Sequence, residues 1–175
     1  ADFAVHSLKD VSSELFFKDN HYAVISREDP RDAAIFNNNV MEKIGAGETL
    51  RLGTSSPRRA LMAVRFLKQA LPTVNGRTAL VEAVAIRGNV DTRLQKLTDG
   101  QYDGVVLAVA GLNRLLGSAP SSSHMADLLR EKRTMILPLI ECPPAPGQGA
   151  IVAETRPGNS RAIDLLSRVN DGKLQ

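Results

Sequence analysis

The 175-residue chain has a single cysteine, Cys142, and only three histidines, His6, His21 and His124. One cysteine excludes an intrachain disulfide framework and every multi-cysteine metal or iron–sulfur site. The histidines lie far apart and show no HExxH or paired-ligand spacing, so no metal centre is expected. Aromatic residues are scarce: two tyrosines and five phenylalanines offer few platforms for stacking bases. No Lys/Arg block of the kind that marks a nucleic-acid arm occurs, and 22 Lys+Arg against 19 Asp+Glu leave a net charge of only +3. No nucleic-acid partner is expected. No apolar run approaches the ~18 residues of a membrane span, so no membrane partner is expected either. The first residues, ADFAVHSLKD, carry Lys, Asp and His where a signal peptide is apolar. The expected location is cytoplasmic.

What is present suits a packed globular chain. Hydrophobic residues make up 43% and charged residues 23%. Phe3-Ala-Val5 and Tyr22-Ala-Val-Ile25 read as short strands. Between them Ser12, Ser13, Lys18, Asp19 and Asn20 read as loop. Arg27-Glu-Asp-Pro-Arg-Asp32 reads as a solvated turn and a candidate hinge. Strands and helices then alternate. Leu50-Arg-Leu52 is a strand closed by Gly53. Thr54-Ser55-Ser56 offers N-cap chemistry, and Pro57 suits the first helical position. Ala60, Leu61, Val64, Phe66, Leu67 and Leu71 follow at helical spacing until Pro72 and Asn75-Gly76. Val81–Ile86 is a strand, and a helix runs around Val90, Leu94 and Leu97 until Asp99-Gly100. Val105–Val109 reads as a buried parallel strand. Helices follow at Gly111–Leu116 and Met125–Lys132, with a Gly/Ser/Pro loop between them. Ile136–Ile140 leads into the proline-rich connector Pro143–Gly149. Ile151–Glu154 is a strand, and Ser160–Val169 is a helix capped by Asn159 or Ser160. The pattern predicts an α/β fold with a largely parallel mixed sheet flanked by helices.

In such sheets ligands gather where strands end and helices begin. Three successive junctions carry arginines there: Gly53-Thr-Ser-Ser-Pro-Arg-Arg59, Arg87-Gly-Asn-Val-Asp-Thr-Arg93 and Ala110-Gly-Leu-Asn-Arg114. Any one of them alone is a plain helix cap or a solvated surface arginine. Together, Arg58, Arg59, Arg87, Arg93 and Arg114 can converge on one polyanion, a ligand with several carboxylates. The Walker A and GxGxxG patterns are absent. Lys9-Asp10 reads as a turn or loop salt bridge. At a strand end facing a basic site, Asp10 becomes an acceptor able to stabilise a developing cation.

His6-Ser-Leu-Lys-Asp-Val11, Arg27-Glu-Asp-Pro-Arg-Asp-Ala33, Gly53-Thr-Ser-Ser-Pro-Arg-Arg59, Arg87-Gly-Asn-Val-Asp-Thr-Arg-Leu94, Leu107-Ala-Val-Ala-Gly-Leu112 and Pro146-Gly-Gln-Gly149 occur in order. This combination resembles the porphobilinogen deaminase (hydroxymethylbilane synthase) family, and the resemblance spans nearly the whole chain. It implies a transferase of tetrapyrrole and haem biosynthesis that joins four porphobilinogen molecules head to tail and releases ammonia each time. Porphobilinogen bears an acetate and a propionate, so the substrate and the growing oligopyrrole are polycarboxylates. By resemblance, Asp10 is the catalytic aspartate, holding pyrrole N–H groups and stabilising the cation formed as ammonia leaves. Lys9, Thr54, Ser55, Ser56, Arg58 and Arg59 bind the dipyrromethane cofactor. Arg87, Arg93 and Arg114 bind carboxylates of substrate and growing chain. Gln148-Gly149 lie in the segment that returns to the first domain.

The family has three domains. The first two are periplasmic-binding-protein-like with the active cleft between them, and the third carries the cysteine that bears dipyrromethane. The resemblance makes residues 1–28 a partial domain 1, 29–144 domain 2, and 145–175 the crossover back to domain 1 with its connecting helix. Most of domain 1 and all of domain 3 are expected to be missing. Cys142, in Glu-Cys-Pro-Pro, does not match the attachment cysteine and reads as a partly buried structural thiol. Ser12 stands where the family has proline, and Lys68–Ala79 and Pro138–Pro144 look longer than the family norm. The family is usually monomeric. The piece of domain 1 is expected to be disordered or covered by a second copy, so that the chain self-associates. The isolated chain is expected to turn over nothing. The alternative reading is a truncated, non-catalytic homologue that binds a polycarboxylate tetrapyrrole precursor.

Overall fold

A computed structural model describes residues 2–11 and 20–172. Ser12 and most of the polar stretch after it lie outside the described residues. The chain forms two compact units: unit 1 comprises Ala1–Pro30 with Pro144–Gln175, and unit 2 comprises Arg31–Pro143.

Unit 2 is built on five strands: β3 (Asp32–Phe36), β4 (Thr49–Gly53), β5 (Leu80–Val84), β6 (Gly104–Ala108) and β7 (Arg133–Ile136), in the order β5-β4-β6-β3-β7. Its helices are α1 (Val40–Ala46), α2 (Pro57–Ala70), α3 (Val90–Thr98), α4 (Val109–Leu116) and α5 (Ser122–Leu129). The sheet is mixed, not largely parallel. β4 pairs in parallel with β5 and β6, whereas β3 pairs antiparallel with both β6 and β7. Both antiparallel pairings depend on β3, a strand hidden from a reading of Arg27–Asp32 as a turn. Its Asp-Ala-Ala-Ile-Phe sequence carries two alanines, weak strand formers, yet every residue is buried.

That burial follows from its inner position with β6. Alternate residues of a strand face opposite sides of a sheet. Ala34, Phe36 and Val106 join one core cluster with Val40 and Ile44 of α1 and Ala63 and Leu67 of α2. Ala33, Ile35, Val105 and Leu107 join the other, with Leu94 and Leu97 of α3, Leu112 of α4 and Met125 and Leu128 of α5. Both faces of the sheet are therefore covered by helices. Gly104 is required where β6 passes the Phe36 ring: a Cβ there would lie 2.6 Å from the ring's Cδ1. Cys142 is buried rather than partly buried, packed in the first cluster, and burial pushes its thiol pKa up.

The helix starts follow local chemistry. Ser56 caps α2 by accepting from the Arg59 amide at 3.4 Å, and Pro57 occupies the first position. Asn89 caps α3 through the Thr92 amide at 2.9 Å. In the Lys68–Ala79 stretch α2 runs to Ala70. Asn75 and Gly76, both at positive φ, then make a tight turn closed by paired Val74–Arg77 backbone bonds.

Unit 1 holds β1 (Ala4–Ser7), β2 (His21–Arg27) and β8 (Ala150–Thr155) in the order β1-β8-β2, all antiparallel. Helix α6 (Ser160–Val169), capped by Asn159, packs Leu166 against Ala23 and Ala153. These strands, expected to be disordered or covered by a second copy, pair with one another: β8 supplies ladder partners to both β1 and β2. Phe3, Val5 and Ile25 stay exposed.

Candidate polyanion-binding site

β5, β4 and β6 are adjacent and parallel, so their carboxyl ends lie along one edge of the unit 2 sheet. The junctions leaving that edge are β4–α2, β5–α3 and β6–α4: Arg58 and Arg59 lie in the first turn of α2, Arg87 in the β5–α3 loop, Arg93 in α3 and Arg114 near the end of α4.

Side-chain hydroxyls build the first loop. Thr54 is buried, and its Oγ1 accepts from the Ser56 amide at 3.2 Å. The Ser55 hydroxyl donates to the Ile86 carbonyl and accepts from the Ile86 amide at 3.1 Å, stitching this loop to the β5–α3 loop. Ser56 is occupied as the α2 cap. All three hydroxyls thus hold the shape of this junction.

The two adjacent arginines differ. Arg59 is buried; its Nε and Nη2 donate to the two carboxylate oxygens of Asp32 at 3.1 and 2.7 Å, and Nη1 donates to the Val106 carbonyl at 3.5 Å. Arg58 donates to Asp32 Oδ2 at 2.9 Å and to the Pro143 carbonyl, and its side chain keeps 22% exposure. Asp32 itself is 1% exposed. It was not singled out in the sequence, because it closes a charged run that reads as a solvated turn. The one available signal was its place just before the apolar Ala-Ala-Ile-Phe stretch.

Arg93 lies in the first turns of α3, and its Nε donates to the Gly88 carbonyl at 2.8 Å. Burial, and then the positive charge of Arg59, hold its pKa below the ordinary arginine value. Arg93 thus lies within the field of Arg59. Arg87 is exposed on the same loop, and its carbonyl accepts from Lys96 Nζ at 3.0 Å. Among the described residues neither Arg87 nor Arg93 forms an ion pair. Arg114 sits in the last turn of α4, which starts at Val109 rather than Gly111. It lines a hollow of about 280 Å³ with Asn89, Val90, Asp91, Gly111 and Leu115, beside the α3 N-terminus.

Lys9 and Asp10 belong to unit 1. They occupy an exposed 3₁₀ turn, Leu8–Asp10, directly after β1. Gln148 is buried in the same unit; its Nε2 donates to the Pro30 carbonyl at 2.6 Å, and its carbonyl accepts from Arg27 Nε at 3.4 Å. Among the described residues no group of His, Cys, Asp and Glu is placed to hold a metal ion. No described helix is long and apolar enough to cross a membrane.

Comparison with known proteins is consistent across relatives. The family model "Porphobilinogen deaminase, dipyromethane cofactor binding domain" matches residues 1–164. The probable porphobilinogen deaminase of Pyrobaculum islandicum is 41% identical over 174 residues, covering 98% of this chain and 50% of the relative. The porphobilinogen deaminase of Sorangium cellulosum is 39% identical, covering 99% and 50%. That of Caulobacter vibrioides is 43% identical over 157 residues, covering 89% and 41%. An arginine-specific periplasmic binding protein of Salmonella typhimurium superposes with a TM-score of 0.46 and 11% identity, over 96% of this chain and 64% of that one. The chain spans about half the length of the curated relatives it matches. Matched along nearly all of its own length by the family model and by these relatives, the chain belongs to the porphobilinogen deaminase family.

Proposed function

We propose that this chain is the carboxylate-holding part of a hydroxymethylbilane synthase, and that the whole protein joins four porphobilinogen molecules head to tail with release of ammonia. The single observation that carries this reading is the sheet topology: β5, β4 and β6 are adjacent and parallel, and Arg58, Arg59, Arg87 and Arg93 follow the carboxyl ends of β4 and β5 in the sequence. Arg93, whose pKa is lowered by burial and then by the charge of Arg59, gains an opposite charge when a carboxylate binds there. Arg87, on the loop before it, adds a second guanidinium suited to bidentate carboxylate binding.

The donor set of unit 2 fits dipyrromethane in kind, with guanidinium groups for its carboxylates. When bound, dipyrromethane supplies the covalent primer to which porphobilinogen units are added. The chain's own residues orient and stabilise. Lys9, Arg58 and Arg59 provide the positive field for the primer, with Thr54, Ser55 and Ser56 holding the loop that presents the arginines. Arg87, Arg93 and Arg114 bind the acetate and propionate groups of substrate and product. Asp10, an exposed carboxylate on a short turn, accepts pyrrole N–H groups and stabilises the positive charge that develops on porphobilinogen as ammonia departs.

The test is calorimetric titration of the chain with porphobilinogen. Binding is expected, and Arg93→Ala weakens it by about 10- to 100-fold, the worth of one charge-assisted contact. Absence of binding, or unchanged affinity in Arg93→Ala, contradicts the reading. Binding without ammonia release by the 175-residue chain fits a part that needs the rest of the enzyme.

A further inference from the structure

Asp32 is a fully buried carboxylate in the middle of the arginine set, and none of the roles above uses it. A buried carboxylate is costly unless it is paired and hydrogen-bonded. Here both oxygens accept from Arg59 in a fork-to-fork pair, and Oδ2 also accepts from Arg58. The neighbouring guanidinium groups thereby take on different states. Arg59 spends three of its N–H groups inside the protein, two on Asp32 and one on the Val106 carbonyl of β6. Arg58 keeps one bond to Asp32 and one to the Pro143 carbonyl, with part of its side chain open to solvent.

Resting on the functional reading above, we propose that Asp32 is a positioning residue that divides the paired arginines into two jobs. Arg59 is an internal cation, locked by Asp32, that acts on ligand only through its field. Arg58 is the member that touches a ligand carboxylate, and Asp32 sets its direction. Burial first, and then the charge of Arg59, disfavour a lone Arg93 guanidinium; with Arg59 fixed inside the protein, an incoming anion offsets that second effect. The division explains why the adjacent arginines are not equivalent although they share one sequence motif. The first turn of α2 points Arg59 at β3 and β6, while Arg58 reaches from Asp32 to Pro143, near the two ends of unit 2.

Two measurements decide it. The first needs no ligand: phenylglyoxal modification of the folded chain, located by fragmentation mass spectrometry. Arg58 is expected to react at least about tenfold faster than Arg59, which must first give up charge-assisted bonds. Equal rates overturn the division. The second is a double-mutant cycle read by porphobilinogen affinity. Asp32→Asn is expected to weaken binding by about tenfold. In an Arg58→Gln background the same change is expected to cost almost nothing, because Asp32 acts through Arg58. Costs that simply add in the double variant show a merely structural Asp32 and overturn the positioning role. Asp32→Glu keeps the charge and serves if the asparagine variant does not fold; it is expected to show the same non-additivity with a smaller loss. If the chain binds no porphobilinogen, the functional reading fails while the phenylglyoxal ratio still decides the division.

Discussion

Unit 2 sandwiches its sheet between two helical layers, whereas the described part of unit 1 sets one helix against three strands. In unit 2, alternate residues of β3 and β6 feed separate clusters, each closed by helices. In unit 1 the cluster contains Ala23, Ala153 and Leu166. The chemistry is distributed in the same way. The arginines lie on strand–helix junctions and helices tied together through Ser55, Asp32 and helix caps, and Asp10 sits on an exposed turn. On the proposed reading, binding several carboxylates in fixed register needs a rigid support, and the well-packed unit is suited to give it.

The largest effect that can break this contrast lies in the cores. Leu52 is fully buried in unit 2, and Leu52→Ala is expected to cost about 2–5 kcal/mol, read from urea unfolding. Leu166→Ala in unit 1 is expected to cost less, because the other buried members of its cluster among the described residues are the small Ala23 and Ala153. Equal losses would remove the contrast. Next come the caps. Asn89→Ala is expected to cost about 1 kcal/mol and to lower porphobilinogen affinity, since α3 carries Arg93. Asn159→Ala in unit 1 is expected to cost a similar amount of stability and leave affinity unchanged. The smallest effect is one of pH. Lys43 donates to the buried Asp103 at 2.7 Å, and this bond raises the Lys43 pKa despite the opposing cost of burial. A raised lysine pKa gives stability that is complete below the ordinary value of 10.5 and is lost as pH rises through the raised one. Unfolding midpoints are expected to fall in that alkaline range for the native chain, and to fall less in Lys43→Met.

Much of this was legible in the sequence. The strands β4, β5 and β6, the N-cap chemistry of Thr54-Ser55-Ser56, the cap at Asn159 or Ser160, and the final helix follow from periodicity and turn chemistry. β3, β7 and α1 did not show. β3 begins inside a charge run and has alanine at two of its five positions, and β7 is only four residues long and mostly exposed. α1 has no side-chain cap bond and spans seven residues. Because β3 was hidden, so were the antiparallel half of the sheet and the burial of Asp32. The five arginines were visible as a set, but adjacent residues in a sequence do not disclose which side chain turns inward. That distinction between Arg58 and Arg59 comes from where the first turn of α2 meets β3 and β6.

The claim that the sheet edge of unit 2 holds carboxylates is tested most directly by NMR of the arginine Nε–Hε groups during titration with porphobilinogen. The signals of Arg58, Arg87 and Arg93 are expected to shift and their solvent exchange to slow, while the Arg59 signal, already protected, stays in place. Unmoved signals at Arg87 and Arg93 would contradict the account.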